Sequence, residues 1–66
     1  MNEQMRGQIL EAAKACRSVT ILGGAAHIDE IKHLAVRLSS SRLLHRVERN
    51  RQDVVVTFTT TDLAPR

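Results

Sequence analysis

The sequence predicts an α+β fold: a small two-layer sandwich in which two helices lie on one face of a three-stranded sheet ending in a β-hairpin. Two segments repeat apolar residues at helical spacing, and three others are rich in β-branched residues or alternate in polarity. Polar or glycine-containing turns separate these segments in the order α-β-α-β-β. The 66 residues suffice for one domain, 1–66.

The first element is a helix predicted over 2–17. Met5, Ile9 and Cys16 fall on one face at helical spacing, which is typical of a helix that packs on a core. Asn2 is a suitable N-cap because its side chain can accept a hydrogen bond from the first turn. Cys16 is therefore expected to be a small buried apolar residue.

A short strand is predicted over 19–22, where a β-branched run ends at a pair of glycines. The second helix is predicted over 27–39, because apolar residues again recur at helical spacing. Asp29 and Glu30 in its first turn suit the helix dipole. The serines that follow favour a helix end, since their hydroxyls compete for backbone hydrogen bonds.

Strands 43–49 and 54–61 form the predicted hairpin. In the second of them Val54, Val56 and Phe58 share one face, assigned to the core, while the opposite face carries mainly threonine. His45, on the first strand, shares a face with Leu43 and Val47 and is therefore expected to be partly buried. Residues 62–66 are predicted to be a loose tail.

The sequence is compatible with more than one strand pairing and more than one mode of self-association. If strands 19–22 and 43–49 are parallel neighbours, the second helix forms a right-handed crossover between them. Strand 54–61 carries no charge or proline that would discourage pairing, so homo-oligomers through its edge or face are expected. The alternative is that the first helix covers this edge.

Charge is concentrated in one part of the chain. Residues 32–51 hold six basic side chains and one acid, whereas the whole chain carries a net charge of +3. A local basic cluster indicates an anionic partner more strongly than a high isoelectric point does. The predicted binding residues are Lys32, Arg37, Arg42, Arg46, Arg49 and Arg51. The alternative is that these side chains form only a solvated basic face.

No pattern in the sequence favours catalysis, a cofactor or a metal ion. Asp29 and Glu30 are adjacent and diverge on a helix, so they do not form an acid–base pair. Cys16 and the three histidines lack the spacing that preassembles a metal site. Gly23 and Gly24 precede a helix, as in phosphate-binding turns, but without the rest of a P-loop or dinucleotide motif an ordinary turn is favoured.

Two resemblances concern the fold. About 25 residues resemble the ACT-like regulatory half of nickel-responsive repressors. The resemblance rests on Cys16, the strand that follows it, Gly24 and the segment 31–38. That family's ligand histidines lie on a strand before the cysteine, where this chain has a predicted helix, so its metal site does not transfer. The order of elements is also similar to part of the Alba chromatin fold.

These observations predict a non-enzymatic, self-associating module that binds nucleic-acid phosphates through an arginine-rich hairpin. The alternative is a protein interaction module, such as an inhibitor, adaptor or small subunit, that docks an acidic surface through the arginines or uses the Val/Thr strand face. A lone cysteine, no transmembrane segment and no signal-peptide pattern predict a cytoplasmic protein without membrane contact.

Overall fold

A computed structural model describes residues 1–61 and confirms the predicted fold class. The predicted tail 62–66 lies outside the described residues. The elements are helix α1 Glu3–Ala15, strand β1 Ser18–Ile21, a 3₁₀ helix Gly24–His27, helix α2 Ile28–Leu38, and strands β2 Leu43–Asn50 and β3 Asp53–Thr60.

Helix α1 begins and ends at residues with clear physical roles. The Oδ1 atom of Asn2 accepts a hydrogen bond of 2.8 Å from the backbone N–H of Met5, as predicted for an N-cap. The helix ends at Cys16, which adopts a left-handed conformation with φ of 52°. This change of backbone direction breaks the helical spacing, and Cys16 is exposed. The prediction that Cys16 is buried was wrong for that reason.

The predicted second helix, 27–39, consists of two parts. A 3₁₀ helix includes His27, and α2 then runs from Ile28 to Leu38. Ser39 follows as the C-cap, and its hydroxyl donates to the carbonyl of Val36 at 2.7 Å. The serine-rich end was therefore predicted correctly, and the reason is local hydrogen bonding by a side chain.

The sheet has the strand order β1-β3-β2, and both pairings are antiparallel. Strands β1 and β2 therefore flank β3, and the expectation that they are parallel neighbours was wrong. The 54–61 run is the central strand β3, so it offers no edge for self-association. A two-residue connection at 51–52 makes β2 and β3 neighbours, and β1 pairs with the remaining side of β3.

One hydrophobic core lies between the sheet and the two helices. The central strand contributes Val54, Val56 and Phe58, all at most 1% exposed, which confirms the predicted core face. The other buried apolar side chains come from both helices and β1: Ile9, Ala12, Ile21, Ile31 and Ala35. Because both helices contact this one face, the opposite face of the sheet has no covering layer among residues 1–61.

Candidate functional site

The candidate site is built on the β2–β3 hairpin, which places four of the predicted arginines on the edge of the sheet. Strand β2 is an outer strand, paired on one side with β3. The register from Leu43 opposite Thr60 to Asn50 opposite Asp53 leaves Arg51 and Gln52 as a two-residue turn. Arg51 has φ of 60°, which this tight connection requires at its first position.

Arg46 and Arg49 lie on opposite faces of β2. Cross-strand partners share a face, and Arg46 is opposite Thr57, whereas Arg49 is opposite the core residue Val54. The guanidinium of Arg46 forms a 3.0 Å ion pair with Glu48 on the open face. The Nε atom of Arg49 donates to the carbonyl of Arg51 at 2.9 Å, which holds this side chain near the turn.

Three of the four hairpin arginines have no acidic partner. Within residues 1–61, Arg42, Arg49 and Arg51 lie beyond ion-pair distance of every carboxylate, and all three residues are exposed. Their guanidinium groups are thus available to an external anion. The predicted arginines are therefore one ion pair and one unpaired cation on β2, Arg46 and Arg49, with an unpaired cation next to each end of this strand, Arg42 and Arg51.

The two remaining predicted residues lie elsewhere on α2. Arg37 lines a groove between α1 and α2, together with Arg6 and His33. Lys32 is on another side of α2, because the 140° between positions 32 and 37 separates them around the helix. The basic segment 32–51 thus does not form one continuous stripe in the structure.

The groove between the helices is a second basic cluster. It has a volume of about 520 Å³, and its apolar lining comes from Met1, Leu34 and Leu38. Arg6 had no role in the sequence prediction, since only the packing of α1 beside α2 brings it near Arg37. No local sequence pattern indicates this proximity.

One carboxylate at the rim of the groove is already compensated. The Met1 ammonium lies 3.2 Å from Glu30, and the Nδ1 atom of His27 lies 3.5 Å from the same carboxylate. The ammonium is the main cause of a lowered Glu30 pKa, and His27 adds to it. Glu30 therefore remains ionised to lower pH than an isolated glutamate.

The glycine turn is attached to the β2–β3 hairpin. The Gly23 N–H donates to Oδ1 of Asp53 at 2.9 Å, and the Ala25 N–H donates to the carbonyl of Gln52 at 3.0 Å. These donors attach the turn to the hairpin rather than facing solvent. Gly24 is buried, and a Cβ there would lie 3.0 Å from Cγ2 of Ile21.

The histidines and Cys16 do not assemble. His45 shares the face of the core residue Phe58, its cross-strand partner, but it is exposed, so the prediction of partial burial was wrong. The reason is its position on the outer strand β2, which among residues 1–61 pairs with one strand alone: even Leu43 and Val47, on the same face, are only half-buried. In the described part of the chain no three His, Cys, Asp or Glu side chains gather as a metal site.

Neither helix of residues 1–61 has the length and apolar character needed to span a bilayer. Comparison of the chain with protein families, with characterised proteins and with solved structures gives no match.

Proposed function

We propose that this protein is a cytoplasmic, non-enzymatic binding module that engages nucleic-acid phosphates through the β2–β3 hairpin. The observation that supports this function is the set of three exposed arginines without acidic partners on one hairpin: Arg42, Arg49 and Arg51. A guanidinium donates paired hydrogen bonds to phosphate oxygens, and its charge is independent of pH in the working range.

The type of nucleic acid follows from the aromatic content. Phe58 is the single aromatic residue of the chain, and it is 1% exposed in the core. Proteins that bind single strands stack bases on exposed aromatic rings, and this chain has no such ring to offer. The target is accordingly a duplex or a structured RNA, contacted at its backbone.

The test is fluorescence anisotropy of labelled duplex DNA and hairpin RNA titrated with the protein. For three to four phosphate contacts, raising salt from about 50 to about 200 mM weakens affinity about 40- to 150-fold through counterion release. The variant Arg49→Glu/Arg51→Glu is expected to abolish binding at the lower salt. Salt-independent binding, or none to either ligand, contradicts the proposal.

A matched control separates a located site from a general charge effect. Arg6→Glu/Lys14→Glu makes the same change in net charge on the exposed surface of α1, outside the proposed site. This control is expected to retain binding within a few-fold, because short-range phosphate contacts outweigh the screened distant charges. Equal losses in both double variants would show that net charge, not the hairpin, determines affinity.

A second function, docking of another protein, is favoured by the open face of the sheet. Leu44 on this face is 53% exposed and lies opposite the exposed Thr59, and the same face of β3 carries the partly buried Val55 and Thr57. Such a mixed apolar and hydroxyl surface suits a protein partner better than a phosphate backbone. A stoichiometric protein partner that survives nuclease treatment and is lost in Leu44→Glu would support this function instead.

A further inference from the structure

The outer edge of β2 carries backbone groups that have no partner within residues 1–61. Arg42 accepts a hydrogen bond from Thr61 on the β3 side, while Leu43 exchanges two hydrogen bonds with Ser40 on the opposite side. Backbone direction alternates along an antiparallel strand. The N–H and C=O groups of His45, Val47 and Arg49 therefore point outward, and none of them bonds to a described residue.

We propose that this edge pairs with β2 of a second copy, antiparallel, with Val47 of both copies on the two-fold axis. The product is one continuous six-stranded sheet. Each Val47 then donates to and accepts from its symmetry mate, and His45 of one copy exchanges hydrogen bonds with Arg49 of the other. A two-fold axis makes such an interface self-complementary. The pairing satisfies all three outward-facing residues of each chain.

Charge selects this register. With Val47 on the axis, Arg46 lies opposite Glu48 of the second copy, and Glu48 lies opposite Arg46 of the second copy. The existing 3.0 Å ion pair within each chain thereby becomes a four-charge network. Moving the axis by one residue places either two copies of Arg46 or two of Glu48 opposite each other, and like charges at that position are unfavourable.

The helix layer supports the same partner. Helix α2 packs over the core on the side of β2, and Val36 lies on the side of α2 that faces away from the groove with α1. Val36 is 55% exposed, and Val47 on the outer strand is only partly buried. A second copy at this edge brings another Val36 and Val47 beside them and removes this apolar surface from water.

One consequence of the pairing rests on the proposed phosphate-binding function. In this register the hairpin turn of one copy, with Arg51, lies beside the Ser40–Leu43 end of β2 in the other copy. Arg51 and Arg42, at opposite ends of a strand within one chain, therefore come together between chains. Each end of the interface then holds a two-chain arginine cluster, which is a closer match to adjacent phosphates than one hairpin alone.

The test is sedimentation velocity over a concentration series reaching about 1 mM, with a synthetic chain carrying N-methyl-Val47. Methylation blocks the outward N–H of Val47 but no hydrogen bond to β3. We expect the natural chain to dimerise and the methylated chain to dimerise at least about tenfold more weakly. N-methyl-Thr20 is the matched control: its N–H points outward from the other edge, β1, and its dimerisation should be unchanged.

A charge exchange tests the register. Glu48→Arg and Arg46→Glu should each weaken self-association about tenfold or more, because like charges meet across the axis. An equimolar mixture of the two variants should recover a heterodimer, since every pair across the axis is again opposite in sign. Any of three results would overturn the proposal. The natural chain stays monomeric throughout, the N-methyl-Val47 chain dimerises as strongly as the natural one, or the mixture of the two charge variants stays monomeric.

The two proposals fail in distinguishable ways. A monomeric natural chain that still binds duplex DNA with strong salt dependence would overturn the dimer alone. A dimer sensitive to N-methyl-Val47 that binds no nucleic acid would overturn the phosphate-binding function alone.

Discussion

The two faces of the central strand β3 differ sharply in burial, although their residues alternate along one segment. Val54, Val56 and Phe58 are at most 1% exposed, whereas Thr57 is only partly buried and Thr59 is exposed. The buried face holds the contacts with both helices. The open face carries hydroxyl groups, and two of them, Ser18 Oγ and Thr57 Oγ1, form a 2.9 Å hydrogen bond.

This difference shows that, in a chain of 66 residues, the buried face of the sheet stabilises the fold and the open face is left accessible. A domain of this size has a stability of about 3–10 kcal/mol, so a core of eight side chains leaves little excess. Stability is concentrated on the covered face. The open face of the sheet and the hairpin turn contribute no buried side chain to this core, so they can carry charge without loss of the fold.

The largest expected effect is loss of the core aromatic ring. Phe58→Ala should reduce the free energy of unfolding by about 3–5 kcal/mol, because it leaves a cavity in the core between the sheet and the helices. The adjacent substitution Thr59→Ala should change it by less than about 0.5 kcal/mol. Urea denaturation followed by circular dichroism measures both. Similar midpoints for the two variants would show that the faces do not differ in this way.

A second expected effect comes from adding a methyl group at Gly24, which is buried against Ile21 and Ile31. In Gly24→Ala the new Cβ would lie 3.0 Å from Cγ2 of Ile21 and 3.1 Å from Cδ1 of Ile31. Overpacking of this kind costs about 1–3 kcal/mol. Thermal denaturation should therefore show a lower Tm. A Tm equal to that of the natural chain would mean that the turn moves freely away from the core.

The opposite sign is expected for the same substitution on the surface of α1. Gly7 lies inside this helix, and a Cβ at that position meets no atom within 4 Å. Gly7→Ala should stabilise the protein by about 0.5–1 kcal/mol, since alanine loses less backbone entropy in a helix. Urea denaturation in parallel with Gly24→Ala gives the contrast directly, and a loss of stability in Gly7→Ala would contradict it.

The smallest expected effect concerns pH at the rim of the inter-helix groove. The pKa of Glu30 is lowered in the folded protein, chiefly by the Met1 ammonium. Its contribution to stability is therefore present above the ordinary glutamate pKa and is lost as pH falls through the lowered value. Melting curves of the natural chain and Glu30→Gln should differ near neutral pH and converge in acid. A constant difference would contradict this linkage.

Local sequence patterns were sufficient for most of the fold. The apolar spacing of α2, the Asn2 cap and the alternation of β3 each depend on neighbouring residues, so each was predictable and is present. The exposed Cys16 was missed because one left-handed residue ends the helical spacing. The exposure of His45 was missed because alternation along a strand indicates the face of a residue but not whether its strand is central or outer.

The sequence by itself determined which segments are helices and strands, which face of β3 is buried and where the basic residues are concentrated. The tertiary structure alone decided that β3 is central, that β2 is the outer strand, and that Arg37 joins Arg6 rather than the hairpin arginines. The physical reason is the separation along the chain of the residues that interact. Helical spacing and strand alternation are set within a few residues, whereas strand order and helix packing depend on contacts between segments far apart in the chain.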